Sequence, residues 1–199
     1  MVKRRERISR ERQVNTYSQL MIASYDALKR AREEPAGSFY QVMASLIFTA
    51  FMMEAYLNHT GPHIFNCWGD LERLSPSSKL NIVAEKLGIK VDEGKRPYQT
   101  LSELFQFRNV LAHGKSVALK SEETRLVAGP FDYYGDEWLQ TKWEKYCTQD
   151  NASNALEDTE IIMDRIHKRA GMTDDLFSLG MQGTGGTLLP EEQDGNSST

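Results

Sequence analysis

Cysteine is scarce in this chain: only Cys67 and Cys147 occur among 199 residues, and neither has a second cysteine near it. That spacing excludes a disulfide-stapled framework and a cysteine-ligated zinc site. An apolar leader with a small-residue cleavage site is lacking as well. So is an uninterrupted apolar run of the roughly 20 residues that a membrane span requires. The expectation is a cytoplasmic, reducing setting with no membrane partner. Without a secretory route, the glycosylation-type triplets at Asn58, Asn151 and Asn196 have no use. Internal repeats are absent too, which excludes solenoids and propellers.

What is present is enough apolar residue, 40%, for one sizeable core. One helical domain is expected over residues 1–170, followed by a flexible acidic tail rich in Gly, Thr and Ser over 171–199. Charge is uneven beneath the net −4. Lys3, Arg4, Arg5, Arg7, Arg10 and Arg12 crowd the start against Glu6 and Glu11, whereas the tail holds Asp174, Asp175, Glu191, Glu192 and Asp194 with no cation. The basic start reads either as a phosphate-backbone contact or as a solvated, frayed helix end.

Periodicity places helices along most of the chain. Val14, Tyr17, Leu20, Met21, Ser24, Leu28 and Ala31 recur at three- and four-residue spacing, predicting an amphipathic helix over about 9–33 that stops at Glu34-Pro35-Ala36-Gly37. A second helix, about 38–58, is apolar on nearly every side apart from Ser45, Thr49 and Glu54, as suits the centre of a bundle. Ser75-Pro76-Ser77-Ser78 caps a short helix that Gly88 closes, and another helix starts near Tyr98. Residues 115–135 carry short apolar runs and turn signals that predict a small hairpin or loop insertion. Two further helices are expected over about 136–146 and 154–170.

The chemistry concentrates in residues 105–115, Phe-Gln-Phe-Arg-Asn-Val-Leu-Ala-His-Gly-Lys. Arg108 is a permanent cation whose planar fork grips phosphate oxygens, His113 titrates near neutral pH, and Asn109 adds an amide. Together they suit a phosphodiester. The same residues also read as ordinary C-terminal helix capping before Gly114. Glu54 reads either as a buried partner that orients Arg108 or as an acid at an exposed helix end.

This pattern, an Arg followed by a polar residue and, five positions on, a His, together with the apolar helix bearing Glu54-Ala55-Tyr56-Leu57-Asn58 upstream, resembles the HEPN superfamily over roughly residues 10–170. The resemblance implies an all-α, HEPN-like up-and-down bundle of four to five helices, often a homodimer. In many members it implies metal-independent cleavage of RNA to a 2′,3′-cyclic phosphate. On that basis Arg108, His113 and Asn109 are the catalytic candidates, with Glu54 and Lys115 in support and no metal or other cofactor. The implied partners are RNA, a second copy and an antitoxin or regulatory protein. Silent members that bind nucleotide, RNA or protein keep the same fold. One nuclease subgroup has a tyrosine two residues after the histidine, where this chain has Lys115.

In a straight helix, residues five apart are turned about 140° and rise about 7.5 Å, so Arg108 and His113 do not share a face. A bend at Gly114 in the left-handed conformation, or a dimer with a shared cleft, would bring them together. A dimer also supplies two imidazoles, one to take the 2′-hydroxyl proton and one to protonate the leaving 5′-oxygen.

Other motifs carry less. His59 and His63 are four apart, a metal-ligand spacing on a helix, but Gly61-Pro62 between them is expected to break the helix, which disfavours a metal pair. Gly183-Thr184-Gly185-Gly186 lacks the flanking strand and helix of a nucleotide loop. Tyr133, Tyr134, Trp138, Trp143 and Tyr146 read as core packing rather than base-stacking surfaces.

Overall fold

The computed structural model describes residues 6–122, 139–180 and 182–188. Among them, β1 (Glu6–Arg12) precedes α1 (Thr16–Glu33), α2 (Phe39–Ile64), α3 (Trp68–Leu71), α4 (Pro76–Lys86), α5 (Tyr98–Ala112), α6 (Lys142–Tyr146) and α7 (Gln149–Arg169), and β2 (Gln182–Leu188) ends the order. The described residues are mostly helical, in seven helices rather than the expected four to five because two of them, α3 and α6, are short turns of four and five residues, and they include one small two-stranded sheet.

α2 is the helix around which the others assemble, touching α1, α3, α4, α5 and α7. Its inward residues Leu46, Met52, Met53, Tyr56 and Leu57 are fully enclosed. By length and hydropathy α2 could cross a membrane, and half of its most apolar window is buried inside the fold. α1 pairs with it as a helical hairpin, and small hydroxyl residues let the two approach closely. Ser24 Oγ lies 2.9 Å from the Ser45 carbonyl oxygen, 3.0 Å from Ser45 Oγ and 2.7 Å from Thr49 Oγ1, all buried. A satisfied polar cluster of this kind fixes register, because sliding either helix strands buried hydroxyls. α7 closes the bundle: the Tyr56 hydroxyl donates to the Met163 carbonyl at 3.1 Å, and Arg96 donates twice to the buried Asp158 carboxylate, at 2.7 and 3.1 Å.

Three local expectations are corrected. α1 starts at Thr16 rather than near Ser9, and Glu6–Arg12 is extended, paired antiparallel with Gln182–Leu188 from within the expected tail. The reason is tertiary. Asn15 Nδ2 and Ser18 Oγ both donate to the Ser178 carbonyl, and Gly180 lies so close to the backbone that an added Cβ would stand 2.1 Å from the Gln13 carbonyl oxygen. The returning chain thus occupies the space that an upstream turn of helix would need.

Second, α2 continues through Gly61-Pro62 to Ile64. A proline this near the end forfeits only one helical hydrogen bond, and the Phe65 amide still reaches the Gly61 carbonyl at 2.9 Å. Trp68 of α3 folds back onto Gly61, where a Cβ would meet its ring at 2.1 Å. Third, Gly114 is not left-handed; α5 ends through His113 at φ −112°.

Of the expected hairpin, residues 115–122 take neither helix nor strand. Residues 123–138, with Tyr133, Tyr134 and Trp138, lie outside the described residues, as do Lys3, Arg4, Arg5 and the acids beyond 188.

Gly61→Ala forces a methyl group into the Trp68 ring, so chemical denaturation should show a loss of about 1–3 kcal/mol. An unchanged midpoint would mean that Trp68 does not seat on α2.

Candidate functional site

An acid in an apolar helix needs a partner, and Glu54 has two. Its Oε2 accepts from Arg108 of α5 at 2.9 Å, and its Oε1 accepts from Lys79 of α4 at 3.3 Å. Lys79 is only 2% exposed, and its ammonium also donates to Asn58 Oδ1 at 3.0 Å. One carboxylate therefore joins α2, α4 and α5, and the trio carries one surplus positive charge. Lys79 escaped the sequence reading, although a signal was there: it falls on the apolar face of α4 with Pro76, Leu80 and Val83.

Arg108 is fixed on three sides. Its NH2 group is held by Glu54, its NH1 group donates to Asn109 Oδ1 at 3.0 Å, and the guanidinium lies over the Phe51 ring, 5.4 Å from the centroid. Of the five N–H donors in a guanidinium, those left over have no partner among the described residues. Burial of the cation is partial, so the anchored guanidinium still faces solvent.

His113 stands elsewhere. As the residue that ends α5, its amide donates to the Asn109 carbonyl at 3.0 Å, while its exposed ring makes no hydrogen bond among the described residues. It lines a hollow of about 770 Å³ between the end of α5 and α6, together with Lys115, Lys142 and Trp143. Arg108 does not line this hollow. The two candidate catalytic residues thus sit in different surroundings within one chain, as their five-residue spacing on a helix requires. Asn109 is the link, its side chain on Arg108 and its carbonyl on the His113 amide.

Beside Arg108, the outward stripe of α2 stays half-buried or exposed at Ile47, Phe48, Phe51, Glu54, Ala55 and Asn58. Phe51 is 39% exposed and Val110 of α5 is 50% exposed. The stripe is apolar except where the Glu54–Arg108 pair and Asn58 interrupt it.

The remaining titratable groups serve other ends. Because α2 does not break at Pro62, His59 and His63 share a face with ring centroids 5.9 Å apart. Burial against Tyr17 holds the His59 imidazole below its ordinary pKa, which Asp174 partly offsets. Among the described residues no group of three or more His, Cys, Asp or Glu is placed to hold a metal ion. Burial pushes the Cys147 thiol up to about 11, which keeps it protonated and unreactive near neutral pH.

Replacing Glu54 with Gln leaves the enclosed Lys79 ammonium without its counter-charge. Denaturation should report a loss of about 1–3 kcal/mol, most of it restored by a second change, Lys79→Met, which removes the stranded charge. Equal losses in the single and double variants would show that the carboxylate does not neutralise Lys79. Comparison of the chain with protein-family models, with curated proteins and with solved structures finds no match in any of the three.

Proposed function

We propose that this chain is a HEPN-type, metal-independent endoribonuclease, a toxin or defence RNase of the cytoplasm, whose reactive centre forms between two copies. The observation that carries this reading is the charge arrangement at Arg108. A carboxylate shared between two cations holds the guanidinium in place without cancelling it, and N–H donors with no partner among the described residues remain to meet an anion. Five residues on, His113 offers an exposed imidazole whose ring makes no hydrogen bond among the described residues. The exposed apolar stripe of α2 beside Arg108 supports a second copy as its cover, since a patch of this kind favours association.

In the reaction, one His113 takes the proton of the ribose 2′-hydroxyl as its oxygen attacks phosphorus. The His113 of the other copy gives a proton to the departing 5′-oxygen. The products are a 2′,3′-cyclic phosphate and a free 5′-hydroxyl. Arg108 meets the extra negative charge that builds on the phosphate oxygens between these states. Asn109 keeps Arg108 oriented, and Lys115 beside His113 attracts the phosphate chain. DNA has no 2′-hydroxyl to attack, so it is not a substrate.

The separation of Arg108 from His113 within one chain favours a second reading, a silent HEPN-type module that binds nucleotide, RNA or protein. Incubation of single-stranded RNA with the purified protein in EDTA separates the two. Cleavage should persist under chelation and leave cyclic phosphate ends. His113→Ala should slow it by about 10²–10⁴-fold, and Arg108→Ala by about 10²–10³-fold. Sedimentation should show a dimer. RNA that is bound but intact, or cleavage untouched by His113→Ala, would discard the nuclease.

A further inference from the structure

The hollow beside His113 has a charge and shape that the catalytic pair leaves unexplained. Lys115 and Lys142 both line it, both are exposed, and neither has an acidic partner among the described residues. Among the described residues that line it none is an acid, although the chain as a whole carries a net charge of −4. Positive charge concentrated in a concave site on an acidic protein marks an anion as the occupant.

Trp143 adds the second element. One side of its indole leans on Phe39, with ring centroids 6.2 Å apart. The same residue lines both the 770 Å³ hollow and an adjoining one of about 230 Å³, as do Lys142 and Val110. A half-buried indole shared by two hollows presents a fixed aromatic surface, and the Lys115 and Lys142 side chains line the larger hollow with it. The smaller hollow holds the Glu103 carboxylate and the Gln106 amide, so the phosphates belong to the larger hollow and the smaller one suits the uncharged face of a base.

α6 is only five residues long, yet its position is set. Thr141 and Glu144 form a reciprocal cap: the Glu144 amide donates to Thr141 Oγ1 at 3.3 Å, and the Thr141 amide donates to Glu144 Oε2 at 2.6 Å. The Thr141 hydroxyl, which donates to Glu144 Oε2 at 2.7 Å, and the Thr141 amide hold the Glu144 carboxyl below its usual range. Tyr146 packs against Phe107 of α5 at 5.3 Å between centroids. Lys142 and Trp143 are therefore carried on a braced element.

We propose that the joined hollows between the end of α5 and α6 form a binding groove for single-stranded RNA, in which a base stacks on Trp143 while Lys142 and Lys115 take the flanking phosphates. The choice of RNA rests on the nuclease reading; the chemistry of the groove, an aromatic face beside cations, is that of single-strand binding. The groove delivers a phosphate to His113, because His113 lines the same hollow as Lys115. Base identity has little influence, since every base has a face to stack.

The test uses the full chain and a fluorescein-labelled 2′-O-methyl hexauridylate, which is uncleavable because its attacking hydroxyl is blocked. Anisotropy titrations should show Trp143→Ala weakening binding about 10–100-fold, with Trp143→Phe staying within about threefold because it keeps an aromatic face. Lys142→Ala should flatten the dependence of log affinity on log salt by about 0.7, the effect of one lost phosphate contact on a single strand. An abasic oligomer should bind wild type as weakly as the hexauridylate binds Trp143→Ala. Unchanged affinity in both Trp143→Ala and Lys142→Ala overturns the groove, as does an abasic oligomer that binds as tightly as the intact one.

Failures of the two readings are distinguishable. RNA cleavage that depends on His113 but ignores Trp143 and Lys142 in both KM and binding removes the groove alone. Binding that shows every expected shift, from a protein that cuts no RNA, supports the groove and removes the nuclease.

Discussion

The Glu54 carboxylate, with one oxygen on Lys79 and the other on Arg108, is the contact on which the site depends. An ammonium that is 2% exposed cannot stay charged without a counter-ion and a hydrogen-bond acceptor, and Glu54 and Asn58 provide them. Both lie on α2, one turn apart. α4 is thereby locked to α2 by a cation, and α5 is locked to the same residue by another. The arrangement does more than satisfy buried charge. Since one anion serves two cations, the outer cation keeps its attraction for a second anion, which a simple ion pair would have removed.

α2 carries two demands at once. Its inner face fills the core with Leu46, Met53, Tyr56 and Leu57, and its hydroxyl cluster with Ser24 sets the register of α1. Its outer stripe is left incompletely covered, although it is nearly as apolar as the inner face. That surplus of apolar surface explains why the helix reads as hydrophobic all round while only part of it is enclosed. A helix serving an internal core alone would be expected to show polar residues on its outer face.

Much of this was legible in the residues, and the misses share a cause. The periodic patterns of α1, α2 and α7 and the capped start of α4 are local signals, and each produced its helix. Glu54 as the partner of Arg108 was legible as an alternative, because an acid in an apolar helix has few other uses. Lys79 was overlooked because lysines are usually solvated, and only its place on the apolar face of α4 marks it as enclosed. The start of α1, the continuation of α2 through Pro62 and the pairing of Glu6–Arg12 with Gln182–Leu188 depend on distant contacts, Ser178 on Asn15, Trp68 on Gly61 and Gly180 on Gln13. Local preference cannot register such contacts. Trp143 was read as core for the same reason: helical spacing shows that an aromatic packs, not that it also borders a hollow.

The separation of Arg108 from His113 then takes on a particular meaning. Arg108 faces the apolar stripe of α2, and His113, beyond the end of the helix, faces the hollow with Lys115, Lys142 and Trp143. The end of α5 therefore stands between two surfaces of different kinds, one apolar with an anchored cation and one basic with an aromatic. The proposed second copy would cover the first surface and the proposed RNA strand would follow the second. Transesterification at phosphorus needs a base and an acid on opposite sides of the phosphate, with positive charge across its oxygens. Residues gathered on one face of one helix would place all of these groups on the same side. In the dimer proposed above, a guanidinium and an imidazole turned about 140° apart and repeated by a two-fold axis would surround the phosphate, and the strand would reach it along the proposed groove.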